Sequence, residues 1–471
     1  MFSGSMKKKT TEAPSRIRDN VAAGSLLELS VTRLDDDGYG IADFNGRNVK
    51  VTGAFPGESV RARITHVGKE SISARTMGLT RPSHLKRVAL PSKLCETCAN
   101  CTLMALDYAS QLLVKLELVR GCLAAHRSLG EVAVNDVIAS PRQLCSRTTA
   151  KLAVGGTFRT PRIGIYRRHS HEVIDIGSCP LHHPLINTIV AAVKEGIRRG
   201  KVHVYSPETG SGLLRYLVIR VSEDGSQAMV VFVSAYRSYN ELHHLARHLQ
   251  TAVPQVVVIA QNENPSSGNV ILGERFHFYT PQHSLTARIG EINLAVSPRS
   301  FFQVNTGSAQ IIYEKVAEWG MLTGKERVID VYCGIGGIAL YLAGRAEEIT
   351  GIEAVEAAVS DAEKNARLNG TRNCRFVAGD AGELLAEMRE DNVTVDLVVI
   401  NPPRKGCERR ALDEIAKLKP ARIIYVSCSP WTLARDLDIL SRVGYRTREV
   451  QPVDMFPQTP HIENIALLTR V

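Results

Sequence analysis

From Gln310 onward the chain alternates strand-like and helix-like patterns. RVIDVYC leads into IALYLAGRA, EEITGIEA into AVSDAEKNARLNG, CRFVAGD into AGELLAEMRE, VDLVVINPP into RRALDEIAKLK, and ARIIYVSCS into WTLARDLDILSRVG. Apolar runs of strand length separated by amphipathic helices predict a doubly wound α/β sheet with helices on both faces. Such a sheet binds ligands beyond the carboxyl ends of its strands, so residues just after each strand are the ones to read for chemistry.

The first of these strands runs into a glycine-rich turn and a helix, RVIDVYCGIGGIALYLA. Gly334 and Gly336 allow a tight turn and close backbone approach of a ligand. The spacing is G-x-G-G rather than the dinucleotide pattern G-x-G-x-x-G, and alone it is a weak signal. Two acidic residues strengthen it. Glu353 ends the next strand about twenty residues on, where a carboxylate accepts hydrogen bonds from ribose hydroxyls. Asp380 ends the third strand, within reach of an adenine; the alternative for both is a surface carboxylate or helix cap.

The front of the chain is different. Of the 471 residues, 44% are apolar and 23% charged, an ordinary globular composition with room for about three domains. The net charge of +10 is uneven: residues 291–471 carry 22 basic and 25 acidic side chains, leaving +13 on residues 1–290. A basic front half suits a polyanion partner, although a solvated basic surface accounts for the charge equally well. Residues 1–22, with Lys7, Lys8 and Lys9, read as a basic tail without the apolar core of a secretory signal. No apolar run reaches membrane-spanning length, so no membrane partner is expected. Residues 23–80 alternate apolar and polar positions in short segments, LLELSVTRL, GYGIADFNGRNVKVTGAF, SVRARITHVG and SISARTM. Short strands in so small a span predict a small closed β-barrel. The segment GYGIADFNGRNVKVTGAFPGESVRARI resembles the TRAM domain, an OB-like RNA-binding barrel. Residues 81–290 give mixed signals and read as an α+β central domain. Ala105–Leu129 and PLINTIVAAVKEGIRRG are helix-like, and TAKLAVGG, LLRYLVIRVS, AMVVFVSAY and QVVVIAQN are strand-like.

Two C-terminal segments are far more specific: INPPRKGC with IIYVSCSPWTLARD, and VDMFPQTPHIE. Together they resemble the two signatures of the RNA uracil-5 methyltransferase family. The resemblance spans nearly the whole chain, and is strongest to the 23S ribosomal RNA members with a TRAM barrel and an iron–sulfur cluster. It implies an N-terminal OB-like barrel, a mixed α+β central domain and a Rossmann-like class I methyltransferase domain over residues 291–471. The implied reaction is methylation of uracil C5 from S-adenosylmethionine, in a reducing cytoplasm. The implied partner is RNA, 23S ribosomal RNA first and transfer RNA as the alternative. A catalytically silent RNA-binding or assembly factor is the rival of another class. No obligate protein partner is implied.

The chemistry explains the residue types. Uracil C5 is a poor nucleophile until a thiolate adds to C6, and a base must later remove the C5 proton so that the thiolate can leave. By the match, Cys428 in YVSC is the nucleophile and Glu463 in HIE the base. Gln303, Tyr332, Gly337, Glu353, Asp380 and Asn401 fall at the family's donor-site positions, and Phe301 matches an aromatic that packs a flipped base. There are two departures. Asn401 stands where many members have Asp, one negative charge fewer, and Ser429 follows Cys428 where Asn is usual.

Ten cysteines without a signal sequence argue for metal or catalytic roles rather than disulfides. LCETCANC places Cys95, Cys98 and Cys101 at C-x2-C-x2-C spacing, and Cys179 in GSCPL is a distant fourth. Spacing alone leaves a [4Fe–4S] cluster and a zinc ion both open. The resemblance implies the iron–sulfur cluster, although the first cysteine of the most similar members lies further upstream than Cys95. The remaining cysteines, Cys407 among them, read as packing thiols.

Overall fold

In the computed structural model, residues 21–98, 100–167, 170–266, 268 and 270–471 are described, so most of the expected basic tail lies outside the described residues. The alternating front segment closes on itself. β1 (Leu26–Leu34), β2 (Gly40–Phe44), β3 (Arg47–Thr52), β4 (Ser59–Val67) and β5 (Ile72–Arg81) form a closed barrel in the order β1-β2-β3-β5-β4. Period-two alternation sends Leu29, Val31, Val51, Val60, Ile64 and Ile72 into a common core. Closure leaves no unpaired strand edge, which is how so small a sheet avoids edge pairing. The barrel, residues up to Asp35 with Tyr39–Leu85, is one compact unit, and the chain from Lys86 together with Asp36–Gly38 is the other.

The second unit begins with α1 (Lys93–Cys98) and α2 (Tyr108–Ala124), and continues through β6 (Ala133–Val134), β7 (Thr149–Gly156), β8 (Pro161–Tyr166), β9 (Val173–Asp175), α3 (Pro184–Gly200), β10 (Leu214–Val221), β11 (Ala228–Ser234), α4 (Tyr239–Ala252), β12 (Val256–Glu263) and β13 (Arg275–Phe278). Seven of the strands build one sheet, β13-β12-β11-β10-β7-β8-β9. Ile186, Ile189 and Val193 of α3 and Leu242, Leu245 and Leu249 of α4 pack on its Leu217, Ile219 and Val230. The expected helix at 105–129 is α2, started by Asp107, whose side chain accepts a hydrogen bond from the Ser110 N–H at 2.9 Å.

The remainder is β14 (Leu285–Ile289), β15 (Ile292–Val296), α5 (Thr306–Gly320), β16 (Arg327–Val331), α6 (Gly337–Leu342), β17 (Glu348–Glu353), α7 (Glu356–Leu368), β18 (Cys374–Ala378), α8 (Ala381–Glu390), β19 (Leu397–Ile400), α9 (Arg409–Leu418), β20 (Arg422–Ser427), α10 (Pro430–Ser441), β21 (Tyr445–Val453) and β22 (Glu463–Arg470). They form an eight-stranded sheet, β18-β17-β16-β19-β20-β22-β21-β6. The first five strands are parallel, as the strand–helix alternation predicts, and β22 runs antiparallel to β20 and β21. Strand order reverses between β16 and β19, which opens the ligand crevice there.

Residue 290 is not a boundary in the packing. It sits at the tip of the β14–β15 hairpin, whose Ile289, Leu294 and Val296 share a core with Val316 and Leu340. Val119, Cys122 and Leu123 of α2 likewise pack with Ile329, Tyr425 and Leu433 of the eight-stranded sheet and its helices. Local periodicity identifies such helices but carries no information about which sheet they cover.

Candidate active site

The glycine loop leaves β16 at the switch point. Tyr332 (φ 65°), Gly334 (φ 56°) and Gly336 (φ 81°) are all left-handed, so the chain turns sharply before α6. Such a conformation costs a tyrosine about 1–3 kcal/mol. Its hydroxyl is fixed 3.3 Å from the Cys407 sulfur, one of the contacts that hold it there. Asp330 at the end of β16 is buried and accepts a hydrogen bond from the Ala339 N–H at 3.0 Å, tying α6 to the strand. Burial pushes the Asp330 carboxyl up to about 7, and its other oxygen has no protein partner among the described residues.

A side chain at Gly334 would meet open space, the cradle a ligand needs. Gly337, the position named from the sequence, is buried, and a Cβ there would lie 2.3 Å from the Tyr313 hydroxyl. Its missing side chain is therefore explained by packing. Glu353 bridges the loop and the turn after β17, accepting from the N–H of Gly334 (3.1 Å) and of Val355 (2.9 Å). Asp380 is the N-cap of α8, accepting from the Glu383 N–H at 3.0 Å. Across the switch point, the Asn401 N–H donates to the Val331 carbonyl, which sets the start of the NPPR loop beside the glycine loop. The side chains of Asn401 and Gln303 are half-buried and make no hydrogen bond among the described residues. Phe301 is 73% exposed, unlike a core phenylalanine.

Cys428 and Glu463 are brought together by strand register. In the antiparallel pair β20–β22, Ser427 lies opposite Asn464, so the next position outward sets Cys428 against Glu463 at the carboxyl edge of the sheet. Both titrate away from their ordinary values. Burial pushes the Cys428 thiol up, the Glu463 carboxyl adds to this, and the Arg404 guanidinium opposes it. Burial pushes Glu463 up to about 8, again opposed by Arg404. Arg404 was missed at the level of sequence; the signal lay in the NPPR motif, where attention falls on the first residue. Its loop is anchored by the Cys407 N–H, which donates to Asp436 (2.8 Å) and Tyr425 (3.2 Å). Cys407 is a buried packing thiol whose pKa burial raises to about 12.

Two further devices fix the pair. Ser429 caps α10, accepting from the Thr432 N–H at 3.4 Å. Ser and Asn are both good caps, so the departure at this position leaves the local geometry intact. The segment from Asp454 to Ile462, which delivers Glu463, is pinned by a fully buried ion pair, Lys115 Nζ to Asp454 at 2.6 Å. Tyr108 also donates to Asp454 (2.8 Å), and Asn305 donates to the Met455 carbonyl (3.1 Å).

The four cysteines named from the spacing line one small cavity, with Leu94, Met104, Ile176 and Pro180. Cys179 is held by Asn187 of α3, which accepts from its N–H and donates to its carbonyl. Among the described residues no three Cys, His, Asp or Glu side chains are gathered as a single-ion site. None of the ten cysteines is in a disulfide. No helix among the described residues is long and apolar enough to cross a membrane.

The sheet order, the glycine loop at the switch point and the acidic ends of the following strands define a class I methyltransferase fold. A family model described as tRNA (uracil-5-)-methyltransferase matches residues 282–471. An uncharacterized RNA methyltransferase of Geobacter sulfurreducens is 57% identical over 465 residues, 98% of this chain and 94% of its own length. Another, of Halalkalibacterium halodurans, is 36% identical over 95% of this chain and 98% of its own. The crystal structure of Pyrococcus abyssi tRNA (uracil-54, C5)-methyltransferase in complex with S-adenosyl-L-homocysteine superposes with a TM-score of 0.74 at 28% identity, covering 94% of this chain and all of that one. The chain belongs to the RNA uracil-5 methyltransferase family.

Proposed function

We propose that this protein methylates C5 of a uridine in RNA, with Cys428 as nucleophile and Glu463 as general base, and that its RNA is 23S ribosomal RNA. The observation that carries the reading is the strand register that sets these two side chains against each other at the ligand edge of the sheet. The Cys428 thiolate adds to uracil C6, and the ring electrons make C5 nucleophilic. Bound S-adenosylmethionine would supply the electrophilic methyl group. Glu463 then takes the C5 proton, the C5–C6 double bond re-forms and the thiolate leaves. Arg404 offsets the negative charge of the thiolate while the adduct forms. The open space at Gly334 would admit the donor, and Glu353 and Asp380 would hold its ribose and adenine. Tyr332, Gln303 and Asn401 would complete the walls, with Gly337 behind them packed beneath Tyr313. The target base must leave its stack, which costs roughly a few kcal/mol unless it is already single-stranded.

Cys95, Cys98, Cys101 and Cys179 would hold a [4Fe–4S] cluster, with zinc as the alternative. Burial pushes the Cys101 thiol up to about 12, so a cation is needed to keep it as a thiolate. A zinc site would bring the sulfurs within about 4 Å of one another. The four cysteines share one cavity, and the likeness of their segments to the family's cluster site favours the larger group. Methyl transfer needs no redox step, so the role is structural.

The ribosomal reading rests on the TRAM-like barrel and the cysteine cluster. Transfer RNA is the second reading, favoured by the likeness to the Pyrococcus enzyme along 94% of this chain. Incubation with labelled donor and total RNA decides between them by the RNA fraction that takes up label. Cys428→Ala abolishes both transfer and covalent adduct, whereas Glu463→Gln accumulates the adduct. Turnover retained by Cys428→Ala refutes the nucleophile.

A further inference from the structure

The outer edge of the seven-stranded sheet carries aromatic side chains that its packing takes up only in part: Phe276, Phe278 and Tyr279 lie half-buried against the core. β13 reads RFHF, and none of its four residues is buried. Beside it Tyr239, at the start of α4, is 59% exposed. Its ring is stacked on His243 at 5.0 Å between centroids and lies 6.0 Å from Tyr279. Phe278 is stacked on His283 at 3.9 Å. Tyr239, Phe276, Phe278, Tyr279 and His283 with Arg237 wall an open cleft of about 740 Å³, solvent included.

The polar groups of the cleft decide what fits. The buried Gln261 amide is committed: it donates to Ser234 and to the Tyr236 carbonyl, and accepts from the Tyr279 hydroxyl. Glu263 is paired with His277 and Arg275, so its charge is compensated. Arg237 is exposed and makes no ion pair or hydrogen bond among the described residues. Ring faces with one free cation match a stacked base and its phosphate, a mode of binding that does not read base identity.

The cleft is also close along the chain to Phe301, the residue that the family resemblance sets against the flipped base. The Arg299 guanidinium lies over the Phe276 ring at 5.1 Å. Arg299 is two residues before the exposed Phe301, a Cα separation of about 7 Å at most. One RNA strand could therefore touch both.

We propose that this cleft stacks an unpaired base of the RNA a few nucleotides from the one at Cys428, with Arg237 on its phosphate. The inference rests on the functional reading above, that the protein acts on RNA. Its test uses the full-length protein, a short fluorescein-labelled oligouridylate followed by anisotropy, and methyl transfer to total RNA. Tyr239→Ala and Arg237→Ala, both at exposed positions, each weaken oligouridylate binding by about five-fold or more. Both raise KM for RNA while leaving kcat in place, and Tyr239→Phe, which keeps the ring, binds as the wild type does. A wild-type protein that methylates RNA while Tyr239→Ala and Arg237→Ala bind and react unchanged overturns the cleft alone. A wild-type protein that transfers no methyl group to RNA overturns the functional reading and the cleft with it.

Discussion

Replacing Glu463 with glutamine separates what this carboxyl does for the reaction from what it costs the fold. An ordinary glutamate titrates at 4.5, and burial here pushes the group up to about 8. At pH 7 the unfolded chain carries the carboxylate and the folded chain the neutral acid, so folding takes up a proton. At 1.36 kcal/mol per tenfold change in proton affinity, that difference costs the fold about 3 kcal/mol at pH 7 and about 5 kcal/mol above pH 8. The sign follows from the raised pKa. The stabilising protonation is complete below pH 4.5, is lost as the pH climbs through 8, and has no counterpart in glutamine. Glu463→Gln should therefore gain stability over the wild type steadily between pH 5 and pH 8, and the gain should level off above. Urea denaturation followed by circular dichroism at pH 5, 7 and 8.5 measures this. Any constant difference from lost or gained contacts drops out of the comparison across pH. A stability difference that stays flat over that range would show that the carboxyl is already ionised in the folded protein, and the burial argument would be refuted.

The same titration predicts that release of tritium from the preformed Cys428 adduct of [5-³H]uridine RNA quickens with pH and levels off above about 8, because Glu463 accepts the proton only when ionised; a pH-independent release would contradict it. Gly337→Ala should destabilise the protein by about 1–3 kcal/mol through overpacking against the Tyr313 hydroxyl, and Tyr313→Phe should recover part of the loss, both read from denaturation midpoints. Lys115→Met should cost about 3–5 kcal/mol by stranding Asp454 in the core. Adding Asp454→Leu should return much of it, and a double variant no more stable than the single would contradict the ion-pair reading.

The parallel half of the methyltransferase sheet was legible because its strands are buried on both faces and so read as unbroken Val and Ile runs, separated by helices with a clear apolar stripe. The barrel was legible for the opposite reason, a strict alternation along one wet and one dry face. α4 escaped notice although Leu242, Leu245, Ala246 and Leu249 recur at helical spacing, because Tyr, Asn, Glu and His fill the positions between them. The β14–β15 hairpin is divided by the boundary at residue 290, because its pairing and its packing join residues on both sides of that point, which local patterns do not show. Asp380 as a helix cap and Gly337 beneath Tyr313 show that one residue can satisfy a motif and a local packing need together, which no spacing rule separates.

The residue types of the site were decided by the chain alone: a cysteine after an apolar strand, a carboxylate after PHI, a glycine turn, and four spaced thiols. These are local patterns, set by what a strand end or a turn permits. That the carboxylate faces the cysteine, that Arg404 stands beside both, and that Lys115, over 300 residues away in sequence, fixes the segment carrying Glu463 were decided only by the tertiary structure. Antiparallel register and buried ion pairs join residues whose separation along the chain is arbitrary. Their free energy depends on burial that exists only once both partners have met.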